Sequence, residues 1–275
     1  MEPFLYYNNG RKGFYIVMKY QKLPVVLAGV LYGCAPDSTD AQITRYLMEH
    51  MEDTDISISQ VAQDCHVGMA TVSRYVRNIG FESFSALREC MKKEEETFET
   101  VDENNAALTI AQYHHDALSV CLQSIDLKQV EQLCTQIERA EHVFLAGLLK
   151  GESAAMCLCA DLCSLGKLCH TTVSLSNQMK QIMESTKDDL IIVFSATMSY
   201  FEYSDIRRIR HLLENRNIWM IGSGVKPDFV RHAITYESGN VPLSHPVQLV
   251  AVAELIAQKY AEKINFSIVI THDIQ

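Results

Sequence analysis

Two short apolar stripes of helical period, Ile58, Val61, Ala62, Cys65 and Val72, Tyr75, Val76, Ile79, are separated by only His66–Gly68. A chain that passes so quickly from one helix to the next must cross them steeply, which confines the segment to a helix-turn-helix arrangement. The first helix opens at Ser57 with Gln60 three residues on, the spacing of a capping box. The second is stopped by Gly80, where a glycine can take the left-handed conformation that ends a helix. An earlier stripe, Ile43, Tyr46, Leu47 and Met51, supplies a third helix to close the small core.

With Val72, Tyr75, Val76 and Ile79 turned inward, the helical rotation places Ala70, Arg74 and Arg77 on the opposite face. Met69, Thr71, Ser73 and Asn78 flank them, and Ser57 and Gln60 stand at the start of the preceding helix. The whole chain carries a formal charge of −10, which argues against indiscriminate binding to nucleic acid. From Cys65 to Phe81, however, there is no acidic residue, so the two arginines form a local basic patch. An exposed face of arginines and small polar side chains suits a major groove, where Arg donates to guanine and Ser or Thr serves any base. Spacing alone leaves two other readings open, a solvated helix and a protein-docking surface.

The stretch ISISQVAQDCHVGMATVSRYVRNIGFESFSALR, Ile56 to Arg88, resembles the DNA-binding domain of the RpiR family of bacterial regulators. The pattern falls on Ala62, Thr71, Val72, Arg74, Tyr75, Gly80 and Phe81. Gly68 departs from it, standing where a Ser usually caps the recognition helix; glycine is itself an acceptable cap. The resemblance implies a double-stranded DNA operator as partner, read by Ser57, Gln60, Met69, Ala70, Thr71, Ser73, Arg74, Arg77 and Asn78.

After Arg88 the chain turns acidic and polar through MKKEEETFETVDENN. The expected organisation is a helical domain over residues 18–95, a linker over 96–110 and a second domain over 111–266. In that second part, short apolar runs at His142–Ala146, Leu190–Phe194 and Ile218–Ile221 alternate with helical patterns at Gly151–Leu165, Tyr200–Leu213 and Pro246–Ile264. Such alternation predicts an α/β domain whose parallel sheet is sandwiched by helices, a three-layer Rossmann-type build with ligands beyond the C-terminal strand ends.

This half resembles the sugar isomerase (SIS) domain, the usual partner of the RpiR head. The likeness lies in ERAEHVFLAG and DDLIIVFSATMS and covers roughly Val130 to Lys263. It fails in the two loops that grip phosphate in that family. The Gly-x-Gly-x-Ser turn reads Gly147, Leu148, Leu149, Lys150, Gly151, and the Ser-x-Ser-Gly-x-Thr loop reads Ser195, Ala196, Thr197, Met198, Ser199, Tyr200. Leu149 and Met198 are expected to crowd a phosphate; Lys150, Ser153, Ser195, Thr197 and Ser199 remain as ligand-binding residues, with Ser174 and Ser176 nearby. The expectation is a remodelled pocket for a small-molecule effector derived from a sugar, on a domain that also dimerises. A homodimer or homotetramer is expected, with Tyr260 on the last helix as a contact. The alternative of another class is a sugar-phosphate isomerase-like enzyme.

Nine cysteines, an odd number without framework spacing, point to a reducing cytoplasm rather than a disulfide scaffold. Cys157, Cys159, Cys163 and Cys169 cluster, followed by His170, but no CxxC pair exists, and packed thiols are expected rather than a metal site. The apolar run LPVVLAGVLYGC ends at Cys34 like a lipoprotein cleavage site; the competing reading, preferred, is an amphipathic helix with Leu23, Leu27, Val30 and Leu31 inward, the chain starting at Met18. Arg207–His211 is read as a solvated helix face, and Ile221–Asp228 as a turn after a strand. No membrane span, cofactor or catalytic motif is expected.

Overall fold

The computed structural model describes residues 22–81, 83–91, 106–173, 175–203, 206–239 and 244–272. Its N-terminal part is helical: α1 (Lys22–Gly33), α2 (Thr39–Glu49), α3 (Ile58–Asp64), α4 (Met69–Asn78) and α5 (Phe84–Glu89). The apolar run before Cys34 forms α1, and Leu23, Val26 and Leu27 are buried in one core with Ile43, Leu47, Val61, Val72 and Val76. Ser38, Ser57 and Ser83 cap α2, α3 and α5, each accepting a backbone N–H. The expected capping box at Ser57 is only half made. Ser57 Oγ accepts from the Gln60 amide at 3.1 Å, but the Gln60 side chain donates to Asp64 at 2.8 Å instead of reaching back.

The turn between α3 and α4 is fixed by two backbone bonds, His66 N–H to Gln63 at 3.1 Å and Val67 N–H to Ala62 at 2.8 Å. At the far end of α4, Gly80 N–H reaches the Arg77 carbonyl and Phe81 N–H the Val76 carbonyl, both at 3.1 Å. Gly80 has φ of +96° and Phe81 drops into the core, so α4 is stopped where its sequence predicts.

Tyr75 on α4 is fully buried, and its hydroxyl lies 2.6 Å from Thr44 Oγ1 on α2. Thr44 gives its own proton to the Asp40 carbonyl at 2.5 Å, so the Tyr75 hydroxyl is the donor. This bond sets the rotation of α4 about its axis and therefore which face points outward. Thr44→Val leaves a buried hydroxyl without an acceptor and is expected to cost about 1–3 kcal/mol. Adding Tyr75→Phe should recover most of that loss, which denaturant unfolding of the single and double variants measures.

The C-terminal part consists of α6 (Ala106–Ser124), α7 (Leu127–Arg139), β1 (Val143–Gly147), α8 (Lys150–Ser164), β2 (Cys169–Thr171), α9 (Leu175–Glu184), β3 (Leu190–Phe194), a 3-10 turn (Tyr200–Tyr203), α10 (Ile206–Leu213), β4 (Ile218–Gly222), β5 (His232–Thr235) and α11 (His245–His272). The sheet is wholly parallel in the order β2-β1-β3-β4-β5. Strand residues alternate between two cores. Val143, Leu145, Ile192, Phe194, Trp219 and Ile221 face α6, α7, α8 and α11. Phe144, Ala146, Ile191, Val193 and Met220 face the other side, with Met179, Ile182, Phe201 and Leu213. The expected three-layer α/β build is therefore present.

Several boundaries shift from the sequence reading. β1, β3 and β4 lie where predicted, give or take one residue, while β2 and β5 are additional edge strands. The helical pattern from Tyr200 is split into a 3-10 turn and α10. Residues 106–110 already belong to α6, ahead of the expected domain start at 111; residues 96–105 of the linker, like Met18, lie outside the described residues. Tyr260 is buried in the core of its own chain and offers no surface to a partner.

Candidate functional site

Two sites emerge. The first is the outer face of α4. Met69, Ala70, Arg74, Arg77 and Asn78 are exposed, and Thr71 and Ser73 are half-buried at its margins. Opposite them, Val72, Tyr75 and Val76 are buried. Arg77 folds back along the helix, donating to the Ser73 carbonyl at 3.2 Å and to Ser73 Oγ at 3.4 Å. Gly68 caps α4 by conformation alone, with no side-chain bond to the first amides. Ser57 and Gln60 are spoken for by the α3 cap and by Asp64. Asp64 also accepts from the Tyr46 hydroxyl at 2.6 Å, and that bond, followed by the one from Gln60, holds its carboxyl below the usual range.

The second site lies at the C-terminal ends of β1 and β3. With strand order 2-1-3-4-5, successive strands are added on one side of β1 and then on the other. The strand order therefore reverses between β1 and β3, and open α/β sheets place their ligands in the crevice at such a point. A cleft there is lined by Leu148, Leu149, Lys150, Ser195, Thr197, Ser199, Tyr200 and His245, among others. Four of the five expected ligand residues thus converge. Ser153 does not; it is exposed on α8 and outside the lining. Ser174 lies outside the described residues, as does the side chain of Ser176.

The two departures from the SIS loop pattern have different consequences. Leu149 and Met198 occupy glycine positions, and both keep a glycine-like backbone, with φ of +50° and +60°. Only Leu149 faces the cleft; Met198 turns into the core beside β3 and does not crowd the site as expected. Side chains at positive φ are strained by about 1–2 kcal/mol. Leu149→Gly is therefore expected to be more stable than Leu149→Ala by about 1 kcal/mol, measurable by thermal unfolding. At Gly151 a Cβ would stand 2.5 Å from the Phe194 carbonyl oxygen, so no serine fits while α8 approaches β3 this closely.

Much of the polar capacity of these loops is already used. The amides of Gly151 and Glu152 donate to Leu148 and Leu149, and that of Met198 to Ser195. Ser195 Oγ accepts the Tyr200 amide at 3.1 Å, and Thr197 and Ser199 pair with each other at 2.7 Å. Sequence reasoning missed Gln178. Buried under the cleft, it donates to the carbonyls of Gly147 at 2.8 Å and Thr172 at 2.5 Å and accepts from the Tyr200 hydroxyl at 2.7 Å. His245 was missed as well: burial, then the charge of Lys150, lowers its pKa and favours a neutral imidazole at the rim. Burial likewise raises the carboxyl of Glu152.

No protein-family profile matches the chain. An uncharacterized HTH-type transcriptional regulator of Haemophilus influenzae is 31% identical over 105 residues, which cover 34% of this chain and 36% of that protein. The match thus spans about a third of the relative's length. Among solved structures, the Vibrio vulnificus NanR protein complexed with ManNAc-6P is similar over 92% of this chain and 99% of its own, at 15% identity and a TM-score of 0.47. The sugar isomerase domain of the RpiR transcription factor from Sphaerobacter thermophilus covers 62% of this chain and 98% of its own, at 18% and 0.46. A Methanococcus jannaschii protein, for which a function as 3-hexulose-6-phosphate isomerase is inferred, covers 58% and 92%, at 16% and 0.43. Over about a third of its length the chain is similar in sequence to an HTH-type transcriptional regulator, and it joins a helical head to a parallel α/β domain.

Proposed function

We infer that the protein is a sequence-specific DNA-binding transcriptional regulator acting in the cytoplasm. The observation that carries this reading is the α4 face. Its inner residues are locked by packing and by the Tyr75–Thr44 bond, while its outer face offers Arg74, Arg77 and small polar groups with no acidic residue between Cys65 and Phe81. Ser57 and Gln60 serve the fold of α3 first, and Met69, Ala70, Thr71, Ser73 and Asn78 complete the reading surface. The test is a mobility-shift titration of the full chain against its selected operator, with Arg74→Ala and Arg77→Ala as variants.

The α/β domain is read as the effector and assembly unit, not as an enzyme. Two copies of the head would bind paired half-sites, and a ligand in the β1–β3 cleft that prefers one arrangement of the dimer would shift DNA affinity by linkage. The ligand is a small polar sugar derivative, less anionic than a sugar phosphate, because the amides of Gly151, Glu152 and Met198 and the hydroxyls of Ser195, Thr197 and Ser199 are already engaged within the loops. Calorimetric titration should show binding that weakens in Lys150→Ala and Thr197→Ala. Micromolar binding of a hexose, pentose or amino-sugar phosphate, unchanged in Lys150→Ala, would contradict this.

A further inference from the structure

We propose that Cys159, Cys163 and Cys169 form a three-thiolate site for a soft, thiophilic metal ion such as copper(I). The sequence presents these thiols as packing residues, yet Cys163 is exposed and Cys159 and Cys169 are only half-buried. Their sulfurs all lie within 4.8 Å of one another. The Cys159–Cys169 and Cys163–Cys169 separations are 3.6 and 3.7 Å. Three sulfurs bound to one ion at about 2.3 Å stand about 3.7–4.0 Å apart, so closing the third side completes the geometry.

The backbone holds this arrangement in place. Cys159 and Cys163 are four residues apart and share one face of α8. Beyond Ser164 the helix is closed by Gly166 N–H to Cys163 at 3.0 Å and Lys167 N–H to Leu162 at 2.9 Å. That tight reversal, with Gly166 at φ of +84°, returns Cys169 to the last turns of α8 as the first residue of β2. Lys167 Nζ donates to the Ala140 carbonyl at 2.6 Å and pins the reversal to the end of α7. The thiol protons have acceptors, Cys169 toward the Cys159 carbonyl at 3.4 Å and Cys163 toward the Cys169 carbonyl at 3.6 Å; an incoming ion releases them. Exposed Cys163 is the entry point. Three thiolates with no fourth protein ligand among the described residues suit a soft ion of low coordination number better than zinc, whose structural sites take four. His170 does not supply the fourth, since it packs beside Phe144 on the other face of the sheet.

The test uses the full chain, reduced and kept without oxygen, titrated with cadmium(II) as a spectroscopic probe. One cadmium per chain with a thiolate charge-transfer band is expected, and copper(I) from a buffered complex should displace it one for one. Cys163→Ser, an exposed change that leaves packing intact, should weaken binding by more than the roughly 10–100-fold that loss of a supporting contact costs. Cys157→Ser, on the same helix but outside the triad, should not. No band, a band unchanged in Cys163→Ser, or failure of copper(I) to displace cadmium would each overturn the assignment.

Discussion

Gly222→Ala is expected to destabilise the α/β domain by about 3 kcal/mol or more, lowering the melting temperature by roughly 6–12 °C. Gly222 ends β4, and a Cβ there would stand 1.9 Å from the Ser195 carbonyl oxygen and 2.9 Å from its carbon. The loop cannot retreat cheaply. The Ser195 amide donates to the Ile221 carbonyl at 2.9 Å, and the Ser223 amide to the Ala196 carbonyl at 2.9 Å, so two backbone bonds clamp the loop against β4. The same clamp aims Ser195 and Thr197 into the cleft, and ligand binding should fall with stability. A Gly222→Ala protein that melts within about 2 °C of the parent would show that the loop is free to move.

Arg74→Ala and Arg77→Ala are each expected to weaken operator binding by about 1–3 kcal/mol, roughly 5- to 150-fold, and to relax specificity at one position of the half-site. Both side chains are exposed, so neither substitution disturbs the packing of α4. Arg77 must leave Ser73 to reach a base, but those two bonds are long and solvent-exposed, and their loss opposes binding little. Unfolding curves that coincide with the parent's would separate lost contacts from lost fold. Unchanged affinity in both variants would move the reading surface away from α4.

The head was largely legible before its structure. Helices α3 and α4 each carry a 3.6-residue apolar stripe, with an explicit start at Ser57 and stop at Gly80. The central strands β1, β3 and β4 are continuous apolar runs buried on both faces, legible as strands because they are short, rich in branched and aromatic residues and bounded by turn residues. The edge strands β2 and β5 were not legible because they are three and four residues long and only partly buried, so they need no apolar run.

Within the cleft, Lys150, Ser195, Thr197 and Ser199 could be placed from loop position alone. Gln178 and Thr44 could not, because a buried polar residue looks in sequence like a surface one until its partners are known. The thiol triad was half visible. The four-residue step from Cys159 to Cys163 is a helical neighbour pair, but the return of Cys169 depends on the turn at Gly166 and on the β1–β2 register.

The claim that α4 reads DNA is tested most directly by selection of bound sequences from a random duplex pool, using the full chain and the Arg74→Ala/Arg77→Ala double variant side by side. The parent should enrich one motif as paired half-sites, centres about 34–36 Å apart or a multiple of that, and the double variant should not. A parent that enriches no motif, or a double variant that enriches the same one, would contradict it.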